Sequence, residues 1–222
     1  MAPEAPPTRW ARGGPANEYY GRRFGALVAD GQDVDGEARL ADALVGRGAR
    51  VLDAGAGMGR VGDALRARGH RVVAVEPDPE LAAQARRTFP DLDVVETDIL
   101  GLSHELLAER DLPTEYDLVV CVGNVMIFLA EGTERAVLAR LGGLLGPGGR
   151  MLVGFHPVDG PTTSRTYPPE EFAADAAAAG LRVDLRAGTY ELHPPTEEYA
   201  VWVLSRAPEP AVGTTGGGSE PG

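Results

Sequence analysis

The chain has no lysine, a single cysteine, few aromatic residues and no long apolar run. Each shortage excludes something. With Cys121 alone no internal disulfide can form, which suits a reducing compartment and makes a cytoplasmic location the expectation. Cys121 lies in an apolar stretch, where a buried, inert thiol is expected rather than a nucleophile. No stretch of about 18 apolar residues occurs, so no membrane span and no membrane partner are expected. The first residues carry prolines and charges without an apolar core segment, so no secretory signal is predicted. No His/Cys/Asp group has metal-ligand spacing, and no metal is expected.

Positive charge is scarce too. The formal net charge is −12, and because the tails (1–16 and 207–222) hold three acids and two arginines, −11 belongs to the part between them. A nucleic-acid partner wants a basic stripe. Arg22–Arg23 and Arg86–Arg87 are too short to make one, so no nucleic acid is expected and a small molecule is favoured as partner. All 21 cations are arginine. With abundant Ala, Gly and Pro this reads as the codon usage of a GC-rich, bacterial genome and carries no mechanism.

The 222 residues suffice for one ordinary domain, and 43% hydrophobic with 24% charged residues is a globular balance. Composition predicts a disordered N-terminal segment over 1–16, unless something packs on Trp10, a folded domain over 17–206 and a flexible tail over 207–222. Within the domain, elements alternate. A helix over 35–47 with Asp35 as cap precedes strand 50–54. A helix over 59–68 leads to strand 71–76. Asp78-Pro79-Glu80 opens the next helix with a cap, a proline at the first position and an acid in the first turn. Strand 93–97, an acidic connection and strand 116–123 follow. A helix over 133–145 stops at Gly146-Pro147-Gly148-Gly149 before strand 150–155. Helix 168–179 then precedes two strands with little between them, 181–190 and 199–206. The expected fold is α/β: a seven-stranded, mostly parallel sheet with helices on both faces and a C-terminal antiparallel strand pair.

In open parallel sheets the ligand sits beyond the carboxyl ends of the strands, near the point where strand order reverses. Four strand ends here carry polar or glycine residues: Asp53-Ala54-Gly55, Glu76, Asp98 and Gly123-Asn124. Glu76 follows Gly55 at a distance that suits an acid accepting hydrogen bonds from a ribose diol. A dinucleotide fingerprint would put a third glycine at position 60, where Arg60 stands. The glycines fall instead at Gly55, Gly57 and Gly59, a spacing suited to a ligand without a pyrophosphate, whose carboxylate can meet the loop's amides.

With these residues in order, VLDAGAGMGR, VVAVEPDP, VVETDIL, YDLVVCVGNVMIFL and LLGPGGRMLVGF, the sequence resembles the class I S-adenosylmethionine-dependent methyltransferases over roughly residues 17–206. The likeness is greatest to small bacterial members of unassigned substrate. It implies a Rossmann-like fold with S-adenosylmethionine as cofactor. It also implies roles. Backbone at Gly55, Ala56 and Gly57 receives the methionine portion. Asp53 orients the loop near the cofactor's amino group. Glu76 holds the ribose hydroxyls, Asp98 accepts from the adenine amino group with Ile99 against the ring, and Gly123 and Asn124 border the sulfonium. Tyr20 closes over the methionine end. Met58 and Ala56 depart from the usual small polar residues of the first motif.

Plainer readings stand beside these. The three glycines make a tight strand-to-helix turn in any case, Asp98 suits a surface turn, Asn124 suits a turn after a strand, and the Val125–Leu129 run suits the core better than a substrate wall. No catalytic residue is assigned. His156, just past the last parallel strand, is the best-placed candidate base, although bracing the loop before Pro157 is the favoured role for it. Segments 17–30 and 156–170, with the lone cation Arg165, are the candidate substrate cover. An NAD-dependent oxidoreductase and a non-catalytic binding module are the alternatives to a methyltransferase acting on a small acceptor.

Overall fold

Runs such as Val72-Val73-Ala74-Val75 and Leu118-Val119-Val120-Cys121 are apolar at every position, so both faces of their strands must be covered. The computed structural model, which describes residues 7–13, 26, 30 and 34–208, meets that demand with one seven-stranded sheet. Its strands are β1 Arg50–Ala54, β2 Arg71–Glu76, β3 Asp93–Glu96, β4 Tyr116–Cys121, β5 Leu145–Phe155, β6 Leu181–Ala187 and β7 Ala200–Arg206. Their order across the sheet is β3-β2-β1-β4-β5-β7-β6. The first five pair in parallel, whereas β7 runs antiparallel to β5 and β6 antiparallel to β7. The chain order reverses between β1 and β4, and it is their carboxyl ends that carry Gly55 and Gly123.

The helices are α1 Gly36–Ala43, α2 Arg60–Ala67, α3 Pro79–Thr88, α4 His104–Ala108, α5 Val125–Phe128, α6 Glu134–Gly143 and α7 Pro169–Ala178. Two cores result. On one face α1 and α2 cover Val51, Val72, Leu118 and Leu152 with Ala38, Leu40, Val61 and Leu65. On the other α4 to α7 cover Leu52, Val73, Val119 and Val153, and there Phe155, Tyr167, Phe172 and Trp202 form a ring cluster with neighbouring centroids 4.9–5.6 Å apart. Burying each such large side chain stabilises the fold by about 2 kcal/mol.

Local chemistry sets the boundaries. Asp78 caps α3 as its sequence announces, its Oδ1 accepting from the amides of Glu80 and Leu81. Asp35 makes no such cap for α1; its carboxylate instead faces the Arg68 guanidinium at 3.4 Å. That helix also stops at Ala43, short of the apolar periodicity, because the chain tightens at Leu44 and then turns left-handed at Gly48. The Gly-Pro-Gly-Gly stretch ends α6 but does not delay the strand. Leu145 already pairs with Tyr116, and the glycines form an irregularity before Leu118 pairs with Arg150. A Cβ at Gly149 would lie 2.9 Å from the Tyr116 carbonyl oxygen. Residues 7–13, where composition predicts disorder unless something packs on Trp10, hold a 3-10 turn against the body of the protein, and Trp10 has such partners in Phe128 and Asp78. Tyr20, nearly all of 17–30 and residues 209–222 lie outside the described residues. Among the described residues no helix is long and apolar enough to cross a membrane.

Candidate functional site

Gly55, Gly57 and Gly59 all have positive φ, 79°, 57° and 86°. This is the left-handed region that only glycine enters cheaply. The three turn β1 into α2 in five residues. The loop is pinned from the neighbouring strand, since the amides of Gly55 and Ala56 both donate to the Val75 carbonyl. At Gly55 the turn also leaves no room, because a Cβ there would come within 2.5 Å of a Val125 methyl.

Glu76 closes β2 and is 5% exposed. One carboxylate oxygen accepts from the Gly57 amide at 2.7 Å and the other from the Asp78 amide at 2.9 Å. Burial outweighs both bonds and pushes the carboxyl up to about 7. Asp53, 2% exposed, is pushed up to about 7 for the same reason, although the Arg60 guanidinium and the Gly62 amide pull the other way. Its Oδ2 has no hydrogen-bond partner. Arg60 itself is anchored by both oxygens of Glu37, at 2.9 and 2.6 Å, and donates to the Val34 carbonyl as well.

These strand ends border an open cleft. Gly55, Gly57, Glu76, Asp98, Ile99 and Gly123 line it. Asp53 and Ala56 do not; with Met58 and Arg60 they line a smaller pocket that shares Gly55 and Gly123 with the cleft. Met58 is buried there and receives a long N–H contact from Gln84. Asp98 combines its two readings, for it lines the cleft while its Oδ1 accepts from the Gly101 amide in a turn. Asn124 is not among the lining residues. It has a φ of 78°, and its side-chain oxygen accepts from the backbone amide of His156.

The apolar wall was the part that sequence reading missed. Trp10, Leu81, Val125, Phe128 and Leu129 line the cleft. The Val125–Leu129 run therefore divides: Met126 and Ile127 are fully buried in the core, while the other three face the cleft. Trp10 packs edge-on against Phe128 with centroids 5.4 Å apart, and its indole N–H donates to Asp78 Oδ2 at 2.9 Å. Arg9 beside it donates to the Leu129 carbonyl and meets Glu134. The only sequence signal was a lone tryptophan in a segment otherwise poor in large apolar residues. Arg165 is no cation waiting for a substrate; Glu134 and Glu171 hold it over the Tyr167 ring. Among the described residues no group of His, Cys, Asp and Glu could hold a metal ion.

The residues fit S-adenosylmethionine in three respects. The carboxylate at β2's end is buried beside the glycine loop, a half-exposed acid and an isoleucine stand at the far end, and the unpartnered Asp53 Oδ2 lies behind the loop where an amino group would need an acceptor. Comparison with known proteins points the same way. A family model of a methyltransferase domain matches residues 52–151. The chain is similar to a TehB-like SAM-dependent methyltransferase from Corynebacterium glutamicum, with 34% identity, a TM-score of 0.74 and coverage of 86% of this chain and 98% of that one. It is 32% identical over 106 residues to the ubiquinone biosynthesis O-methyltransferase of Xylella fastidiosa, 48% of this chain and 41% of that protein. It is also 40% identical over 96 residues to ribosomal RNA small subunit methyltransferase A of Anaeromyxobacter dehalogenans, 43% of this chain and 32% of that protein. The matches thus span less than half the length of these curated relatives.

Proposed function

Since the chain belongs to the class I S-adenosylmethionine-dependent methyltransferases, we propose that it transfers the methyl group of S-adenosylmethionine to a small-molecule acceptor. The observation that carries the reading is the convergence of four strand ends on one largely apolar cleft with a buried carboxylate at its β2 wall. Bound there, the sulfonium supplies an activated methyl group. The chain's own residues bind and orient. Glu76 accepts from the ribose hydroxyls with its remaining lone pairs. Asp98 accepts from the adenine amino group beside Ile99. The loop amides and Asp53 take the methionine end, and Gly123, lacking a side chain, leaves the methyl group open to an acceptor. Positioning of this kind supplies much of the rate of a displacement reaction.

A small acceptor is favoured over RNA by charge, because a protein of net charge −12 repels a phosphate backbone. The ribosomal RNA relative matches over too little of its own length to argue otherwise. Titration calorimetry of the full chain should show one-to-one binding of S-adenosylmethionine and S-adenosylhomocysteine; folded protein that releases no heat with either refutes the reading. A methyl-labelled donor, offered with a metabolite extract and with ribosomal RNA in parallel, should label the small-molecule fraction.

Two expectations follow from the site. Glu76 and Asp53 bind ligand donors as carboxylates, yet both have a pKa of about 7 in the empty protein. The ionised fraction of each falls about tenfold between pH 8 and pH 6, so cofactor affinity should fall by at least that factor and binding should release protons near pH 6.5. The sign for stability is opposite. An acid whose folded pKa lies above its unfolded one stabilises below the unfolded value, near 4, and that stability is lost as pH rises through 7. The ligand-free protein should therefore melt higher at pH 5.5 than at pH 8 insofar as these two groups decide, while the cofactor binds better at pH 8. The second expectation concerns Trp10. Its replacement by alanine removes an aromatic wall and a hydrogen bond to the charged Asp78, worth about 1.5–3 kcal/mol. Cofactor dissociation constants should rise ~10-fold, measured by the same calorimetry.

A further inference from the structure

His156 follows directly on β5, one strand over from β4, whose end borders the cleft at Gly123. Two bonds tie the ends of these strands together: the Asn124 amide donates to the Gly154 carbonyl at 3.1 Å, and the His156 amide donates to Asn124 Oδ1 at 2.9 Å. The second bond fixes which atom of the Asn124 amide is oxygen, since an NH2 could not accept it. The same oxygen lies 2.9 Å from His156 Nδ1. Nδ1 must then carry the hydrogen, and Nε2 the lone pair. Among the described residues Nε2 has no hydrogen bond, and the ring is only partly buried.

The ring is also fixed from its side. Tyr199 packs against it edge-on, centroids 4.8 Å apart, and shares a hydrogen bond of 2.8 Å with the Tyr190 hydroxyl. That hydroxyl pair stands over Gly154, where a Cβ would overlap the Tyr190 oxygen. Burial holds Tyr190 in its neutral form, and no charged side chain of the described residues shifts the histidine; burial alone lowers its pKa. A neutral imidazole, oriented by a third group and open at one nitrogen, is the arrangement of a base. A brace before Pro157 would need the backbone bond alone.

We propose that His156 is the base that takes the proton of the methyl acceptor, through Nε2, with Asn124 and Tyr199 as positioning residues. The acceptor is then a protic one with a weakly acidic O–H or N–H, of the kind a phenol or an aromatic azole carries. This rests on the methyl-transfer reading. In the step the acceptor's X–H bond breaks and its proton goes to Nε2. The X–methyl bond forms as the methyl–sulfur bond breaks, with that bonding pair staying on sulfur as a neutral thioether. The positive charge passes to the imidazolium, which later yields its proton to water.

The first test needs no turnover. Full-length protein labelled with 15N in histidine, with His156→Gln for assignment, should show the Nδ1–H tautomer at pH 7.5, and Asn124→Ala should lose that preference. An Nε2–H tautomer in the unaltered protein overturns the proposal. The second test offers phenols and aromatic N–H azoles with a methyl-labelled donor. At pH 7, His156→Gln should lower kcat ~100-fold with S-adenosylhomocysteine affinity unchanged, and Asn124→Ala ~10-fold. The glutamine variant's rate should climb about tenfold per pH unit towards the acceptor's own pKa, while the unaltered enzyme stays level. Which ring group accepts is read from the products. A variant within threefold of the parent, an identical pH profile, or no methylation of any member while S-adenosylhomocysteine still binds would each refute it. Absence of S-adenosylhomocysteine binding would instead refute the methyl-transfer reading.

Discussion

Glu76→Gln should weaken S-adenosylmethionine binding by roughly 30–5,000-fold while leaving the ligand-free fold nearly as stable as before. The two effects separate because the carboxylate has two occupations. Both of its oxygens already accept from backbone amides, Gly57 on one side and Asp78 on the other. Glutamine offers one oxygen and one NH2, so one amide must face a donor, and the loop or the start of α3 must shift. Leaving a buried donor unsatisfied costs about 1–3 kcal/mol. The bonds that a carboxylate would make to the ribose hydroxyls are charge-assisted, and their weakening adds about 1–2 kcal/mol. Against this stands desolvation. A carboxyl raised to about 7 is costly to keep ionised at pH 8, and a neutral amide escapes that cost. In the empty protein gain and loss oppose each other, and the unfolding free energy should change by no more than about 1 kcal/mol. In the complex only the loss remains. Calorimetric titration beside a thermal melt separates the two, and a dissociation constant within threefold of the parent would remove Glu76 from the binding site.

The difference between what the sequence disclosed and what it hid follows the range of the forces involved. Strand apolarity, the glycine spacing and the cap at Asp78 are local, and each carried over directly: β1 and β2 keep their predicted bounds, and α3 starts at Pro79 behind its predicted cap. The acids at strand ends were legible for the same reason, since a parallel sheet delivers the carboxyl ends of neighbouring strands to one edge whatever the helices do. Asp35 misled because a cap residue and an ion-pair residue look alike until Arg68 arrives from 33 positions away. The same distance problem hid the apolar wall. Nothing near Trp10 in the chain announces Asp78 or Phe128, and nothing in the Val125–Leu129 run says that Val125, Phe128 and Leu129 turn towards a cleft while Met126 and Ile127 enter the core. The place of Asn124 after β4 predicts a residue that borders the site. Its left-handed backbone instead turns its side chain to His156, an arrangement that only the β4–β5 pairing could reveal.

Arg60→Met should destabilise the fold more than any single change within the loop, by about 3–5 kcal/mol, and the partner substitution should recover much of it. At position 60 a glycine would have meant a dinucleotide loop. The arginine there reaches back to α1, where both nitrogens meet both oxygens of Glu37 and one also satisfies the Val34 carbonyl. The side chains are 9% and 14% exposed, so removing the cation strands a carboxylate with little water to compensate. It also removes an attraction that partly offsets the burial of Asp53, whose carboxyl should rise further above 7 and bind an amino group less well. A buried pair often contributes little over apolar residues of similar size, even though breaking it is expensive. Arg60→Met combined with Glu37→Met should accordingly stand only about 1–2 kcal/mol below the parent, the residue of the Val34 carbonyl left without its donor. In a domain of this size the single change should lower the melting temperature by roughly 10 °C and the pair by less than half that. Losses of the two single variants that simply add in the double variant would mean that Glu37 and Arg60 act independently, and that the guanidinium matters to the glycine loop through Asp53 rather than through α1.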